Sequence, residues 1–142
     1  MSDKALPNFQ IQGIDLQEVS IEQPTNQLRN NPNLNFDIHL DHAVVQDKQF
    51  FIAGTTITTY AEQKENKLAK FKANCVFRIE DMKQYQKADG SGIELPVELI
   101  SAINSVSVST TRGLMFSAFA GTYLQKVVLP IIDTKGFSLQ RS

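Results

Sequence analysis

The chain has 142 residues, with 14 basic and 15 acidic side chains and a formal net charge of −1, which is the size and balance of one globular domain. A near-neutral chain without tryptophan lacks the concentrated basic surface that nucleic-acid binding requires. Its single cysteine excludes an internal disulfide and favours the cytoplasm. No uncharged stretch reaches the roughly 18 apolar residues of a membrane span. We therefore expect a cytoplasmic domain that does not bind nucleic acid and does not insert into a membrane.

Alternating apolar residues predict two strands in the first third of the chain. Over residues 9–21 the alternation changes parity after Gly13 and again at Gln17-Glu18, and each change predicts a β-bulge or a bend. The stretch 23–33 is rich in Asn, Gln and Pro and predicts a loop. A second strand follows at 34–41, with apolar side chains on one face and polar side chains on the other.

Two further strands are predicted on either side of a charged turn. Residues 50–60 are rich in β-branched and aromatic side chains, which strands favour. The charged stretch 62–67 separates them from an alternating run at 68–79, as in a β-hairpin. Four strands in sequence, joined by short or polar connections, predict an antiparallel meander.

The pattern becomes helical after a turn at 89–92. Residues 97–104 have a helical apolar face behind Pro96, and residues 106–124 are apolar or small almost all round, with Arg112 as their only charge. Such a helix is expected to be buried on several sides. The prediction is a single α+β domain over 1–142, with one long helix packed on one face of the sheet. Its parts are a flexible N-terminus at 1–8, strands within 9–80, helices within 94–125, and a crossover and short tail at 126–142.

Candidate catalytic and metal-ligating side chains are few. Cys75 falls on the apolar parity of its strand, where a cysteine is usually an inert small hydrophobe. Asp37, His39 and Asp41 share one strand face and offer metal-ligand chemistry, but a solvated polar face is the favoured interpretation without further His or Cys. We therefore expect no enzyme activity and no cofactor. The feature that remains is more apolar helix surface than a small sheet can cover.

Short segments spread over the whole chain carry a family resemblance. They are FQIQGIDLQEVSIEQP at 9–24, FDIHLD at 36–41, Thr111-Arg112, Gly121-Thr122, Leu129-Pro130-Ile131 and Phe137. In this order and spacing the sequence resembles SecB, the bacterial protein-export chaperone family. The resemblance implies a four-stranded antiparallel sheet with a long helix packed on it, assembled as a dimer of dimers. It also implies an ATP-independent holdase whose apolar grooves bind unfolded preproteins and pass them to the motor SecA.

The resemblance also suggests which residues contact partners. For the client-binding groove we predict Phe36, Ile38, Leu40, Leu129, Ile131 and Phe137. For each of them the alternative is an ordinary place in the intramolecular core, and Phe137 is the strongest candidate because residues near a terminus have few internal partners. Glu18 and Glu22 match two acidic positions that contact SecA in the family, with solvated strand residues as the alternative. Lys70 stands where the family has a third acidic residue.

Three functions follow as expectations. The first is an export holdase that binds unfolded polypeptides and delivers them to SecA. The second is a SecB-like chaperone dedicated to one partner such as an antitoxin, because the tail after Phe137 is too short for the second helix of the export family. The third is a carrier that holds a small apolar ligand between sheet and helix. The nearly uncharged helix further predicts a homotetramer.

Overall fold

A computed structural model describes residues 8–22, 34–61 and 67–130 of the chain. Its strands are β1 (Phe9–Ile21), β2 (Leu34–Val45), β3 (Phe50–Ala61) and β4 (Lys67–Ile79), and its helix is α1 (Val97–Ala118). Short 3-10 helices lie at Gln46–Lys48 and Met82–Tyr85. The strands form one antiparallel sheet. The predicted α+β class, with a four-stranded antiparallel sheet and one long helix, is confirmed.

The order of strands across the sheet is β1-β4-β3-β2. The predicted meander of four strands holds for β2, β3 and β4, but β1 lies beside β4 and not beside β2, so that the whole sheet has a Greek-key order. Alternation of apolar residues shows which side chains share a face, but it does not show which strand is the neighbour. The consequence for function is that β1 and β2 are the two edges of the sheet.

The two edge strands differ in regularity. The pairing of β1 with β4 shifts in register between Ile11 and Gly13 and again between Leu16 and Glu18, which confirms both predicted bulges. Each extra residue returns the next apolar side chain to the face that bears the helix. The pairing of β2 with β3 runs without a shift along the whole of β2.

Helix α1 lies over β3 and β4. It begins after Pro96, whose carbonyl oxygen accepts hydrogen bonds from the N–H groups of Leu99 and Ile100. The two predicted helical segments are one continuous helix, and it ends at Ala118, earlier than the predicted end near 124. The helical path ends before Gly121, whose φ of 82° is left-handed, and the hydroxyl of Thr122 then donates to the carbonyl of Phe119 and accepts from the N–H of the residue two positions later.

The core between α1 and the sheet is divided into two apolar clusters. One contains Phe51 and Phe77 with the first half of the helix, and the other contains Phe71 and Met115 with the second half and the segment after it. The boundary between them carries a polar layer, formed by His42, Thr55, Asn104 and Ser107, all of them buried. Within the described part of the chain, no helix combines the length and hydropathy needed to cross a lipid bilayer.

Candidate functional site

The predicted groove residues of β2 and of the crossover meet in one part of the core. Leu40 is 0% exposed and Leu129 is 1% exposed, so both side chains are packed inside the chain. Phe36 and Ile38 lie on the same face of β2 as Leu40, and they are partly buried against the same cluster. Leu40 and Leu129 thus form a floor beneath Phe36 and Ile38.

The remaining two predicted groove residues, Ile131 and Phe137, lie outside the described residues. Their assignment to the groove stays a prediction.

A rim of partly exposed apolar side chains borders this floor. It consists of Leu34, Phe36 and Ile38 of β2 with Leu114 and Ala118 of α1, all packed against one cluster; we call it the β2 rim. The β2 members share a face because their partners on β3, namely Ala61, Thr59 and Ile57, are all buried under the helix side of the sheet. The β2 rim therefore joins a packed core to the edge of the sheet.

The backbone of β2 adds a second property to this site. Among the described strands, none pairs with the outer side of β2. The outward N–H and C=O groups of an edge strand form a row that an extended chain can pair with. The β2 rim therefore combines an apolar surface with a backbone template beside it.

A further apolar surface lies on the other edge strand, where the sequence analysis did not place it. Ile11, Ile14, Leu16 and Val19 of β1 are between 39% and 56% exposed; we call them the β1 strip. Their partners on β4 are buried residues of the helix side, so the strip lies on that side of the sheet but beyond the cover of α1. The uncovered apolar surface that the sequence predicts thus lies on the edge strand β1 as well as on the helix. The signal was the alternation of apolar residues along the whole of β1, which the two register shifts keep on one face.

The two predicted SecA-contact residues lie on the open face of the sheet, in ion pairs with β4. The Glu18 carboxylate is 3.7 Å from the Lys70 ammonium, and the Glu22 carboxylate is 3.3 Å from that of Lys67. All four side chains are well exposed, so each pair contributes at most about 1 kcal/mol. The carboxylates of Glu18 and Glu22 therefore face cations of their own chain. The hydroxyl of Tyr123 also donates to the backbone carbonyl of Glu22, which joins the segment after α1 to the end of β1.

Polar residues alternate with apolar residues along β2, as the sequence predicts. Among these polar residues, Asp41 has close neighbours on β3 and β4. The Asp41 carboxylate lies 3.5 Å from the Lys72 ammonium and directly over Gly54. A Cβ atom at Gly54 would stand 2.5 Å from Asp41 Oδ1 and 2.7 Å from Asn74 Oδ1, so the position accepts only glycine without movement. In the described ranges, no group of three His, Cys, Asp or Glu side chains is arranged to hold a metal ion.

Two buried titratable groups lie beneath α1. Cys75 is 0% exposed, and burial raises the pKa of its thiol. A buried thiol of raised pKa is a poor nucleophile, as the strand parity predicts. His42 Nε2 lies 2.8 Å from Asn104 Oδ1. Burial lowers the pKa of His42, and the hydrogen bond to Asn104 and the charge of Asp41 partly oppose that shift.

Comparison with known proteins identifies the fold. No family model matches the sequence, and no curated protein does. Among solved structures, the chain is similar to a SecB-like chaperone of Mycobacterium tuberculosis in complex with a peptide from the HigA1 antitoxin, with a TM-score of 0.56, 15% identity, and coverage of 87% of this chain and 89% of that chain. A protein of unknown function from Streptococcus agalactiae matches with a TM-score of 0.29, 12% identity and coverage of 85% and 98%. The first similarity shows that this chain has the fold of a SecB-like chaperone.

Proposed function

We propose that this chain is a SecB-like chaperone that holds extended, apolar segments of other polypeptides on the β2 rim. The observation that carries the proposal is the position of partly exposed Phe36 and Ile38 on β2, a strand whose outer side is paired with none of the described strands. Apolar burial at about 25 cal/mol per Å² supplies affinity without a fixed client sequence. The fold shared with a SecB-like chaperone that binds an antitoxin peptide supports the same proposal.

Between the two chaperone roles, the ion pairs on the open face favour a dedicated partner over delivery to SecA. A basic SecA tail would have to compete with Lys67 and Lys70 for the carboxylates of Glu22 and Glu18. Each exposed pair that must be broken costs up to about 1 kcal/mol, or roughly fivefold in affinity. Export of preproteins through SecA is therefore the weaker of the two proposals.

An aggregation assay separates these roles. Several unrelated proteins are diluted from denaturant with and without the chain, and light scattering is followed. Suppression for all of them supports a general holdase, and suppression for one partner supports a dedicated chaperone. Suppression for none, together with co-purified lipid in native mass spectrometry, would support the carrier of a small apolar ligand and contradict the chaperone proposal.

The β1 strip supports the proposed homo-oligomer, because four exposed apolar side chains on an edge strand form a surface that a second copy can cover. We propose a dimer of dimers with β1 at one of its interfaces. Sedimentation velocity at micromolar concentration tests this proposal. A tetramer is expected, and a stable monomer would contradict it.

A further inference from the structure

We propose that residues 108–129, the second half of α1 with the segment after it, open away from the sheet as one unit while the first half of the helix stays packed. We call these residues the C-terminal unit. Its opening takes the β2 rim apart and so releases a bound segment. The inference rests on the proposed function for this last step only, and it adds a mechanism of release.

The C-terminal unit is separated from the first half of α1 by the buried polar layer. On α1 the last member of the first apolar cluster is Ile103, and the first member of the second cluster is Val108. On β4 the same boundary passes between Cys75 and Ala73. Among the described residues, none belongs to both clusters. The packing of one half of the helix therefore does not hold the other half in place.

The polar layer favours separation at this boundary. The hydroxyl oxygens of Thr55 and Ser107 and the amide nitrogen of Asn104 are buried without a hydrogen-bond partner among the described residues. A buried polar group without a partner is unfavourable, and water that enters on opening satisfies it. The amide oxygen of Asn104, in contrast, lies 2.8 Å from Nε2 of His42. This hydrogen bond fixes the helix to β2 just before the C-terminal unit begins.

Hydrogen bonds anchor the chain before and after α1 unequally. Before the helix, Gln49 accepts hydrogen bonds from the N–H groups of Ile79 and Met82, through its carbonyl oxygen and its side chain. After the helix, no backbone hydrogen bond within the described chain joins residues 119–129 to the sheet. The hydroxyl of Tyr123 links this segment to the backbone carbonyl that follows β1. The C-terminal unit is therefore held mainly by its apolar side chains, and regions with few hydrogen bonds to their surroundings open at low free energy.

Opening of the C-terminal unit takes the β2 rim apart because the rim has members on both sides. Phe36 and Ile38 belong to β2, whereas Leu114 and Ala118 belong to the C-terminal unit. A segment that covers both sets of side chains binds only the closed state. Binding therefore stabilises the closed state, and opening releases the segment.

Thiol labelling measures the two halves separately, because a buried thiol reacts only in a state that exposes it. Cys75 lies in the first cluster, whereas Ala69 and Ala73 lie on the same strand in the second, and all three are 0% exposed. Ala69→Cys and Ala73→Cys are each made in a Cys75→Ala background and checked for folding by circular dichroism. Each labelling rate with Ellman's reagent is divided by that of the same chain unfolded in urea. Both new thiols should react about tenfold or more faster than Cys75 of the parent, and equal rates would overturn the separate opening.

The urea dependence of labelling distinguishes partial opening from global unfolding. A partial opening exposes less surface than unfolding of the whole chain, so its free energy changes less with urea. Labelling of Cys75 should therefore accelerate steeply with urea, and labelling of the two new thiols only weakly. A steep dependence for all three thiols would contradict the proposal.

The role of the polar layer is tested by Thr55→Val, with Thr56→Val as the matched control. Thr55 is 0% exposed on the helix side of β3, and Thr56 is partly exposed on the open face. In the Ala69→Cys protein, Thr55→Val should slow labelling about fivefold, because the closed state then contains one unpaired hydroxyl fewer. Thr56→Val should leave the rate unchanged. Equal effects of the two substitutions would overturn the role of the layer.

The release step is tested with reduced, carboxymethylated lactalbumin, an unfolded protein without free thiols. At about ten times its dissociation constant it should slow labelling of the Ala69→Cys protein about tenfold, because only the closed state binds it. If it binds and the labelling rate stays the same, opening does not release a client and this step is wrong. If it does not bind while the labelling rates of the two clusters still differ, the proposed function fails and the separate opening stands.

Discussion

Phe36 and Leu40 provide the sharpest separation of binding surface from core, because they lie on the same face of one strand and differ in exposure. Leu40 is 0% exposed within the cluster that Phe36 only borders. Leu40→Ala should therefore lower the free energy of unfolding by about 2–5 kcal/mol, from lost burial and a residual cavity. Phe36→Ala should cost clearly less, because its ring gives up only part of its contact with water on folding.

The effects on client affinity should have the reverse order, with a larger loss for Phe36→Ala than for Leu40→Ala. A partly buried phenylalanine leaves on the order of 50 Å² of its roughly 200 Å² for a client to cover. At 25 cal/mol per Å² this area contributes about 1.2 kcal/mol, or roughly eightfold in affinity. The Leu40 side chain has no exposed area for a client to cover. The folded Leu40→Ala variant should therefore bind the client with nearly the affinity of the parent.

The assay pairs urea denaturation, followed by circular dichroism, with fluorescence anisotropy of a labelled client peptide in buffer where both variants are folded. The reasoning would be refuted if Phe36→Ala kept full affinity, because the ring would then be only a core side chain. It would also be refuted if Leu40→Ala lost as much affinity as Phe36→Ala, because exposure would then have no bearing on binding.

Three further predictions concern the buried polar layer and the crowded glycine. Because the pKa of His42 is lowered in the folded state, the unfolded chain binds the proton first, and stability should fall as the pH drops below about 6.5. His42→Gln should flatten that dependence in urea titrations at several pH values. Thr55 has a buried hydroxyl without a partner among the described residues, so Thr55→Val should raise the unfolding free energy by about 1 kcal/mol; a loss in calorimetry would contradict this. Gly54→Ala should lower it by about 1–3 kcal/mol, because the new Cβ meets Asp41, and Asp41→Ala in that background should restore part of the loss.

The sequence was sufficient for features that depend on alternation within a strand. The parity changes around Gly13 and Gln17 predicted both bulges, because apolar side chains must return to the covered face wherever the ladder shifts. The parity of Cys75 likewise predicted its burial. Such features require only the two-residue period of a strand and one solvated face.

Features that depend on contacts between distant segments could not be predicted from the sequence. The pairing of β1 with β4 is set by packing across the whole sheet, and alternation is the same for any neighbour. The end of α1 lies just before Gly121, where the backbone is left-handed, and apolar periodicity alone favoured a helix that continues past this point. The ion pair of Glu18 with Lys70 depends on the same strand pairing.

The predicted groove residues that the structure describes differ in exposure. Phe36 and Ile38 are partly buried at the border of one apolar cluster, and Leu40 and Leu129 are buried within it. The sequence alone could not show which of these four residues are exposed and which are buried, because all four are hydrophobic. Their exposure depends on where α1 and the segment after it lie. The β1 strip was missed as a surface because edge position is a property of the sheet and not of the strand.

The most direct test of the account is hydrogen exchange, followed by NMR, at the backbone amides of the sheet with and without a bound unfolded client. The account predicts increased protection in β2, where the client covers the β2 rim, and little change in β4 at the centre of the sheet. Protection gained only in β1, or in neither edge strand, would contradict binding at the β2 rim.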